Sequence, residues 1–492
     1  MALFRRKQED TQENTYDDDL YPDPDEFFEN TEEETFVKEP ELLEIDHSDR
    51  YIGLCMVFEI AFALFVYYRS ATAGRNYLIA LAPILILTGI IGNRAYQHSA
   101  DMKLLTSIII LADIGIGLQL VIDQVYAVSS TFNLLKYIIG LAVAIIFIVF
   151  YELFRKILNY RATVYIMMAA AAVIYGVLLC YGYDPNGYGT NAWISVHGFT
   201  IELTDFTKVT ALLFYAALFS SSYRYDEKKI LITATLFFFL NLIGAVLIHE
   251  LGSFFILFFL HLSILFIYMD HSHQKRVYLL TVFFLCFLAV VLAFGLYKLL
   301  LPSYEAGTLN AVTGFIWPFV RKIYERFSLT ANINNDPYGA GYQLLQGKKA
   351  MWMGGLSGNT VHFNAIPVVE SDMAFIALVN EFGWPMGFLA VIELTRIAMH
   401  GGRLARKLLK KDRQDSLVAF GAAAMLYLQG MIVILGSCNI IPFTGLPIPF
   451  LSRGFTYQTI VLCFCGILIH MSEERKEESD VQEEEEHSQR GS

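Results

Sequence analysis

The chain has 492 residues, 55% of them hydrophobic and 14% aromatic, and its formal net charge is −12 at pH 7. Soluble domains are about 45–50% apolar, and the runs 251–269 and 277–297 contain no Asp, Glu, Lys or Arg, so an ordinary soluble domain is excluded. The acidic charge lies at the ends, with 18 acidic and 5 basic residues in 1–50 and 9 acidic and 3 basic residues in 471–492. Such tails are predicted to be disordered and solvated, and their sign argues against nucleic-acid binding.

Hydropathy predicts an all-α, polytopic membrane helix bundle, because many apolar runs approach the roughly 20 residues that a helix needs to cross a bilayer. About twelve such helices are predicted. Their approximate limits are 51–70, 77–96, 103–126, 133–153, 162–182, 206–223, 230–248, 251–269, 277–300, 372–397, 416–438 and 455–471.

Basic residues are concentrated in four of the predicted loops. With twelve spans and both tails in the cytoplasm, all four loops fall on the cytoplasmic face, as the positive-inside rule requires. The same topology places segments 183–205 and 301–371 outside. A loop as long as the second is usually functional, and we expect it to form an ordered cap or a re-entrant structure on the bundle. The basic clusters are Arg155, Lys156 and Arg161; Arg224, Lys228 and Lys229; Lys275 and Arg276; and Arg403, Arg406, Lys407, Lys410, Lys411 and Arg413.

One carboxylate in the large outer loop stands out. The segment 335–343, NDPYGAGYQ, places Asp336 in a polar, Gly-rich stretch between two long apolar regions. A carboxylate at the mouth of a membrane bundle is a functional candidate. The alternative is an Asp-Pro turn in which Asp336 caps its own backbone, and the spacing alone favours that alternative.

The six cysteines do not form a recognisable metal or disulfide pattern. All lie in or beside apolar runs, and none is paired with a histidine at metal-ligand spacing. A buried free cysteine behaves as a small hydrophobic residue, so neither a disulfide framework nor a zinc site is predicted. The cysteines are Cys55, Cys180, Cys286, Cys438, Cys463 and Cys465.

Six motifs, in order, resemble signatures of the SEDS family (shape, elongation, division and sporulation). Each is a weak signal alone, but their order and predicted membrane face together make a specific match over roughly residues 103–471. The motifs are WIS with GF and ELTDFTK in 193–208, ELGS in 250–253, DPYGAGYQLLQ in 336–346, GGLSG in 354–358, SD with NEFG in 371–383, and TGLPIPFLS in 444–452.

The resemblance implies a division of the chain. Residues 1–50 and 472–492 would be cytoplasmic tails, 101–471 a SEDS-type membrane core, and 51–100 two additional N-terminal helices without an assigned role. SEDS proteins are expected to be peptidoglycan glycosyltransferases that polymerise lipid II at the outer face of the bacterial plasma membrane. The expected partner is a class B penicillin-binding protein, a transpeptidase. The role in elongation, division or sporulation stays open.

The resemblance also implies site residues. Asp336 matches the catalytic aspartate, which would take the proton of the acceptor sugar 4-hydroxyl. That oxygen attacks the anomeric carbon of the donor, and lipid pyrophosphate leaves. The departing charge needs cations: the candidates are Lys208, the one matched to a family position, with Arg321, Lys322, Lys348, Lys349 and Arg453. A divalent cation, Mg²⁺ or Mn²⁺, is an option, but no cofactor is certain and no metal ligand is assigned. The substrate-binding candidates are Trp193, Asp205, Lys208, Tyr342, Gln343, Lys348, Asp372, Glu381, Ser452 and Arg453.

Several of these residues also have a purely structural interpretation. Lys348 can be a solvated or snorkelling lysine. Asp205 and Lys208, at i and i+3, can neutralise each other on one helix face. Asp372, like Glu250, can cap the helix that follows. Glu381 instead falls inside an apolar run, where it needs a partner, so a functional or bundle-locking role is expected.

Departures from the family pattern indicate a divergent member. Arg453 and Gly454 follow Ser452 where the family has Tyr-Gly, and Glu202 to Asp205 replaces Gln-Pro-Ser-Glu. Two other functions are compatible with such a chain: a flippase for lipid-linked precursors and a non-catalytic scaffold. A transporter would place its essential charges near the membrane midplane, whereas Asp336 lies in the outer loop.

Overall fold

A computed structural model describes most of the chain between the two tails. The described residues are 49–126, 134–185, 189–196, 199–220, 227–269, 273–359, 363 and 365–473. The predicted disordered tails lie almost wholly outside these ranges, and the predicted orientation across the membrane stays a prediction.

The described residues form sixteen α-helices and one β-hairpin. The helices are α1 Arg50–Arg69, α2 Ala71–Gln97, α3 Met102–Val125, α4 Leu134–Val149, α5 Tyr151–Leu158, α6 Arg161–Tyr181, α7 Thr204–Ser220, α8 Glu227–Leu247, α9 Gly252–Tyr268, α10 His273–Glu305, α11 Ala311–Ala331, α12 Tyr342–Gly354, α13 Ala374–Phe382, α14 Trp384–Leu409, α15 Arg413–Ser437 and α16 Phe455–Ser472. The strands are β1 Trp193–Val196 and β2 Phe199–Glu202.

The chain is a multi-pass membrane protein. Within the described ranges, eight helices are long and apolar enough to cross a membrane, and α4 with α5 makes a ninth if this pair, bent by 55°, is one span. The other predicted spans are helical as well: α7 and α9 have 17 residues each, and α13 and α14 are separated by a break at Gly383. The all-α bundle is confirmed, while the count of twelve spans stays a prediction.

The first two helices form a tight hairpin against α3. Ser70 ends α1 and caps α2, its hydroxyl accepting a hydrogen bond from the backbone of Ala73. Gly74 permits the close approach of the two helices, because a Cβ there would lie 2.2 Å from Tyr67 Cα. Gly117 of α3 likewise permits a close approach, because a Cβ there would clash with the ring of Phe62 of α1. The additional helices are therefore part of the packed core and not a separate unit beside it.

The core of the bundle is built on α3, α7, α14, α15 and α16. Small residues let these helices approach closely, as is usual where lipid provides no hydrophobic force between helices. A Cβ on Gly421 would lie 2.3 Å from Leu212, and one on Gly430 would lie 2.3 Å from Leu394. The close packing fixes the helix ends near which the polar residues of the candidate site lie.

The described parts of the predicted outer loops contain regular secondary structure. In 183–205, β1 and β2 pair antiparallel with Trp193 opposite Glu202, a short sheet that helical periodicity does not predict. Much of 301–371 is helical, since it contains α11 and α12. Helix α11 begins with a capping box between Asn310 and Thr313, and its Trp317 stacks on Tyr304 of α10 at 4.6 Å. This ordered cap, and not a flexible spacer, carries the segment that leads to Asp336.

Candidate functional site

A polar cavity of about 370 Å³ lies between segments 183–205 and 301–371 and the adjacent ends of the bundle helices. Its lining comes from the β-hairpin, from α7, α11 and α12, and from the turns before α13 and α16. Eight charged residues line it: Glu202, Asp205, Glu250, Lys322, Glu325, Arg326, Glu370 and Asp372. So many charges around one cavity mark it as the candidate site.

The cation matched to the family position is already paired. Lys208 Nζ donates to Asp205 Oδ1 at 2.8 Å, and both side chains are almost completely buried. The ammonium also lies 5.2 Å from the ring centroid of Tyr457. Asp205 lines the cavity, whereas Lys208 is not among the lining residues. The predicted ion pair is confirmed, and it keeps Lys208 from acting as a free cation towards a ligand.

Two other cations face the cavity from α11. Lys322 Nζ donates to the His249 carbonyl at 2.9 Å and to the Thr190 hydroxyl. Arg326 Nη1 donates to the Thr444 carbonyl at 2.9 Å. Within the described ranges neither side chain forms a salt bridge with a carboxylate. Each is therefore anchored by neutral acceptors, while the carboxylate of Glu250 acts on both cations without a direct salt bridge.

The spacing of these two residues explains their common direction. Lys322 and Arg326 are four residues apart and so lie on one face of α11, while Arg321 points to solvent and pairs with Glu325 at 2.6 Å. Sequence reasoning named Arg321 and Lys322 but missed Arg326. The i, i+4 pattern of basic residues was the signal that could have revealed it. Burial lowers the pKa of Lys322 to about 8, and nearby Arg326 lowers it further while Glu250 opposes the shift.

The carboxylate predicted to be catalytic lies at the border of the cavity. The side chain of Asp336 is exposed. Its Oδ1 accepts a hydrogen bond from Gly339 N at 2.9 Å, and its Oδ2 accepts one from Ala340 N at 2.8 Å. The backbone capping considered for this residue is therefore present. Ala340 lines the cavity, although Asp336 itself does not. Each carboxylate oxygen keeps a further lone pair, so the capped side chain can still accept a proton from a ligand.

Gln343 connects this loop to the cavity floor. Its side-chain amide donates to Asp372 Oδ1 at 3.2 Å, and Asp372 is buried in the turn before α13. A Cβ on Gly445 would lie 3.6 Å from Asp372 and 3.9 Å from Arg326, so both charges face this glycine. The structure thus brings Gln343 and Asp372, two of the candidate site residues, together at the cavity.

Glu250 has the structural role considered for it. Its Oε1 accepts from the backbone N–H groups of Gly252 at 2.8 Å and Ser253 at 3.2 Å. The carboxylate therefore caps the N-terminus of α9 while also lining the cavity.

The departure at Arg453 is explained by a buried ion pair. Arg453 Nη2 lies 2.6 Å from Asp123 Oδ1, and Nε donates to Gln119 Oε1 at 2.9 Å. A largely buried guanidinium needs such partners, and the contact of Arg453 with pyrophosphate stays a prediction. Ser452 is also held internally, because its hydroxyl donates to the Ser371 carbonyl at 2.7 Å.

Four further candidates divide between the cavity and other places. Trp193 lines the cavity. Tyr342 and Lys348 are exposed on α12 and are absent from the lining of the cavity. The residues of α12 that line the cavity are Gln343 and Leu344. Glu381 is completely buried and is bound by Arg69 of α1, away from the cavity. The structure therefore does not bring these last three residues to the cavity.

An apolar groove adjoins the polar cavity. It has a volume of about 820 Å³ and is lined largely by α3, α4, α5, α7 and α16. Groove and cavity share Thr200, Glu370, Ser371, Gly454, Phe455 and Thr456. From this shared rim the groove extends to Tyr151 and Leu158 of α5. The arrangement can hold a long apolar chain with its polar end in the cavity.

In the part of the chain that the structure describes, no group of three or more His, Cys, Asp or Glu side chains could hold a metal ion. The option of Mg²⁺ or Mn²⁺ stays a prediction.

Comparisons with known proteins agree with the motifs. The FtsW/RodA/SpoVE family model, described as cell cycle protein, matches residues 100–477. A Pasteurella multocida protein named probable peptidoglycan glycosyltransferase FtsW is 26% identical over 321 residues, which are 63% of this chain and 74% of the relative. The Bacillus subtilis stage V sporulation protein E is 32% identical over 171 residues, 33% of this chain and 46% of the relative.

A solved structure shows the same fold. It is described as "Structural coordination of polymerization and crosslinking by a peptidoglycan synthase complex", and it aligns with a TM-score of 0.53 at 18% identity over 77% of this chain and 99% of the other. The helices α1 and α2 precede the matched region. The resemblance inferred from the motifs is confirmed, and the chain belongs to the FtsW/RodA/SpoVE family of SEDS membrane proteins.

Proposed function

We propose that this chain polymerises lipid II into glycan strands at the outer face of the bacterial plasma membrane. Its glycosyltransferase activity follows from its family, in which relatives from Pasteurella multocida and Mycobacterium bovis are named peptidoglycan glycosyltransferases. The observation that supports the finer proposal is that an apolar groove joins a polar cavity. Two cations of this cavity, Lys322 and Arg326, form no salt bridge with any described carboxylate.

The proposed reaction assigns one role to each part of the site. Asp336 accepts the proton of the acceptor 4-hydroxyl, whose oxygen forms a bond to the donor anomeric carbon. The bond from that carbon to the lipid pyrophosphate breaks, and the electron pair leaves with the pyrophosphate. Lys322 and Arg326 stabilise the negative charge that develops there. The proton on Asp336 is then released to solvent, to which this side chain is exposed.

The groove suits the polyprenyl chain of a lipid-linked donor. Side chains such as Val143, Phe147 and Leu213 give it an apolar wall, which favours burial of an isoprenoid tail. The same wall argues against the flippase alternative, because a sugar and pyrophosphate crossing this groove would lose their hydration without polar partners.

A transpeptidase partner belongs to this proposal. We infer that a class B penicillin-binding protein cross-links the strand made here. The solved structure with the same fold is described as a complex that coordinates polymerisation and cross-linking, and this description supports such a pairing. The relatives carry FtsW, RodA and stage V sporulation names, so division, elongation and sporulation all stay open.

The direct test is polymerisation of labelled lipid II by the purified full chain in liposomes, with and without a class B penicillin-binding protein. We expect glycan strands in at least one of these conditions. Folded protein and intact lipid II without strands in either condition would contradict the proposal, and a flipping assay would then distinguish transport from a scaffold.

The rate should depend on the charge of Lys322. As the pH rises through the lowered pKa of about 8, the ammonium is lost, so kcat/KM should fall roughly tenfold per unit above that value. In Lys322→Arg the guanidinium stays charged, and the decline should move to higher pH. The measurement is kcat/KM for lipid II from pH 6.5 to 9.5. An unchanged alkaline limb in this variant would contradict the role, and Lys298→Arg, exposed at the end of α10, is the matched control.

A methyl group at Gly339 should displace the catalytic carboxylate. A Cβ there would lie 2.3 Å from Asp336 Oδ2, so Gly339→Ala forces the side chain to move. Displacement of a reacting group by about 1 Å can lower a rate roughly 10²-fold, and we expect a loss of that order in polymerisation. Gly295→Ala, where no atom lies within 4 Å of the added Cβ, is the control. Wild-type activity in Gly339→Ala would show that the position of this carboxylate is unimportant.

A further inference from the structure

The two additional helices contribute a charged residue to the family core. Arg69, the last residue of α1, is buried, and its Nη2 lies 3.3 Å from Glu381 Oε2 of α13. The same nitrogen donates to the backbone carbonyl of Asn359. Glu381 Oε1 accepts from Tyr126 at 2.9 Å and from the Asn380 amide at 3.0 Å. A cationic partner of this buried glutamate is therefore supplied from outside the region matched by the family model.

The ion pair lies at the junction between α12 and α13. Asn359 N donates to the Asn380 carbonyl at 2.7 Å, so the chain after α12 is attached to the end of α13. Gly358, at φ +88°, is pressed against this junction, since a Cβ would lie 2.0 Å from the Glu381 carbonyl and 3.2 Å from Arg69 Cζ. Arg69 thus contacts both sides of the junction, the carbonyl of one segment and the carboxylate of the other.

Aromatic packing holds the end of α1 in this place. Phe62 and Phe65 contact the ring of Phe382 with centroid distances of 5.5 and 5.3 Å. These contacts fix α1 against the residue that follows Glu381. They leave Arg69 little freedom to withdraw, so the contact is a defined part of the packed structure.

We propose that Arg69 is a positioning residue that sets the place of α12 and, through it, of the Asp336 loop. Helix α12 runs from Tyr342 to Gly354, so one end continues from the Asp336 loop and the other leads to the Arg69 junction. Its Gln343 also contacts Asp372 of the cavity. The inference rests on the proposed function for its activity readout, but its structural readout is independent of that function.

The physical basis is the cost of removing an opposite charge from a buried ionised group. Removing one partner of a buried ion pair strands the other in a low-dielectric environment. Arg69→Met takes the guanidinium away from Glu381, whereas Arg69→Met with Glu381→Gln removes both charges of this pair. If the role of Arg69 is to neutralise and hold Glu381, the double variant should have a higher kcat and slower exchange of α12 than Arg69→Met, although it contains more changes.

The experiment compares four full-length variants in nanodiscs: Arg69→Met, Arg69→Lys, Arg69→Met/Glu381→Gln, and Arg75→Met as an exposed control on the same hairpin. Hydrogen exchange of peptides covering 336–359 reports on α12, and lipid II polymerisation gives kcat and KM. We expect faster exchange in 336–359 and at least a tenfold lower kcat for Arg69→Met, with KM within about twofold. Arg69→Lys and the double variant should recover kcat to within about threefold of wild type.

Two results would overturn the inference. One is wild-type exchange and kcat in Arg69→Met; the other is a double variant no better than Arg69→Met. If Arg69→Met does not fold, the comparison of Arg69→Lys and the double variant with wild type decides. Fast exchange of α12 in both of these variants would then also overturn the inference. If every protein, wild type included, lacks polymerase activity, the proposed function fails, while the exchange data still test the position of α12.

Discussion

Asp336→Asn should abolish polymerisation while leaving the protein folded. The amide cannot take the proton of the acceptor hydroxyl, and loss of a general base typically costs roughly 10²- to 10⁴-fold in rate. One amide oxygen can still accept from Gly339 or Ala340, so the loop keeps part of its capping. The measurement is glycan strand formation from labelled lipid II, with thermal unfolding of the same sample to establish that it is folded.

The interpretation depends on separating chemistry from loop structure. Asn334→Ala, an exposed change in the same loop, should retain the wild-type rate within about twofold. If Asp336→Asn and this control lost activity equally, the loop and not the carboxylate would be responsible. If Asp336→Asn kept the wild-type rate, the capping of Gly339 and Ala340 would be the whole role of Asp336, and another base would have to be sought.

Arg326→Gln should cause the second large loss. Arg326 lines the cavity, is held by the Thr444 carbonyl, and forms no salt bridge within the described ranges. Removing one group that stabilises developing negative charge costs roughly 10²- to 10³-fold in kcat, and we expect a loss of this size for strand formation. Arg326→Lys should recover part of it, since an ammonium keeps the charge but not the fork geometry.

The neighbouring arginine gives a matched comparison on the same helix. Arg321 is exposed and pairs with Glu325, so Arg321→Gln should change the rate by no more than about twofold, as expected for an exposed ion pair. Equal losses in the two variants would indicate a general dependence on the charge of α11. A loss in Arg321→Gln alone would contradict the placement of the pyrophosphate in the cavity.

Hydropathy and motifs identified the membrane class, the helices and the loop that carries Asp336. These features are local, because an apolar run or a Gly-rich segment is read from neighbouring residues. The β-hairpin of 193–202 was not predicted, since its four-residue strands are too short to give a clear periodicity. The end of α10 was also missed, because the helix continues beyond the predicted limit of 300 to Glu305.

The candidate site was less predictable because its charges depend on tertiary partners. The sequence placed Asp205 and Lys208 on one face, and that pair is local. It could not show that Arg453 meets Asp123, because hundreds of residues separate them. For the same reason, Glu381 was expected to need a partner, but nothing in the sequence pointed to Arg69.

The two cations and the proposed base lie close together along the chain, on α11 and the loop that follows it. Lys322, Arg326 and Asp336 belong to one continuous stretch of chain, with Ile333–Asn335 as the short connecting helix. Under the proposed mechanism, a diphosphate held by the two cations would restrain the segment that carries Asp336. Donor binding would then order the acceptor side of the site, and a sugar donor without its diphosphate should be a poor substrate even when its reacting carbon is intact.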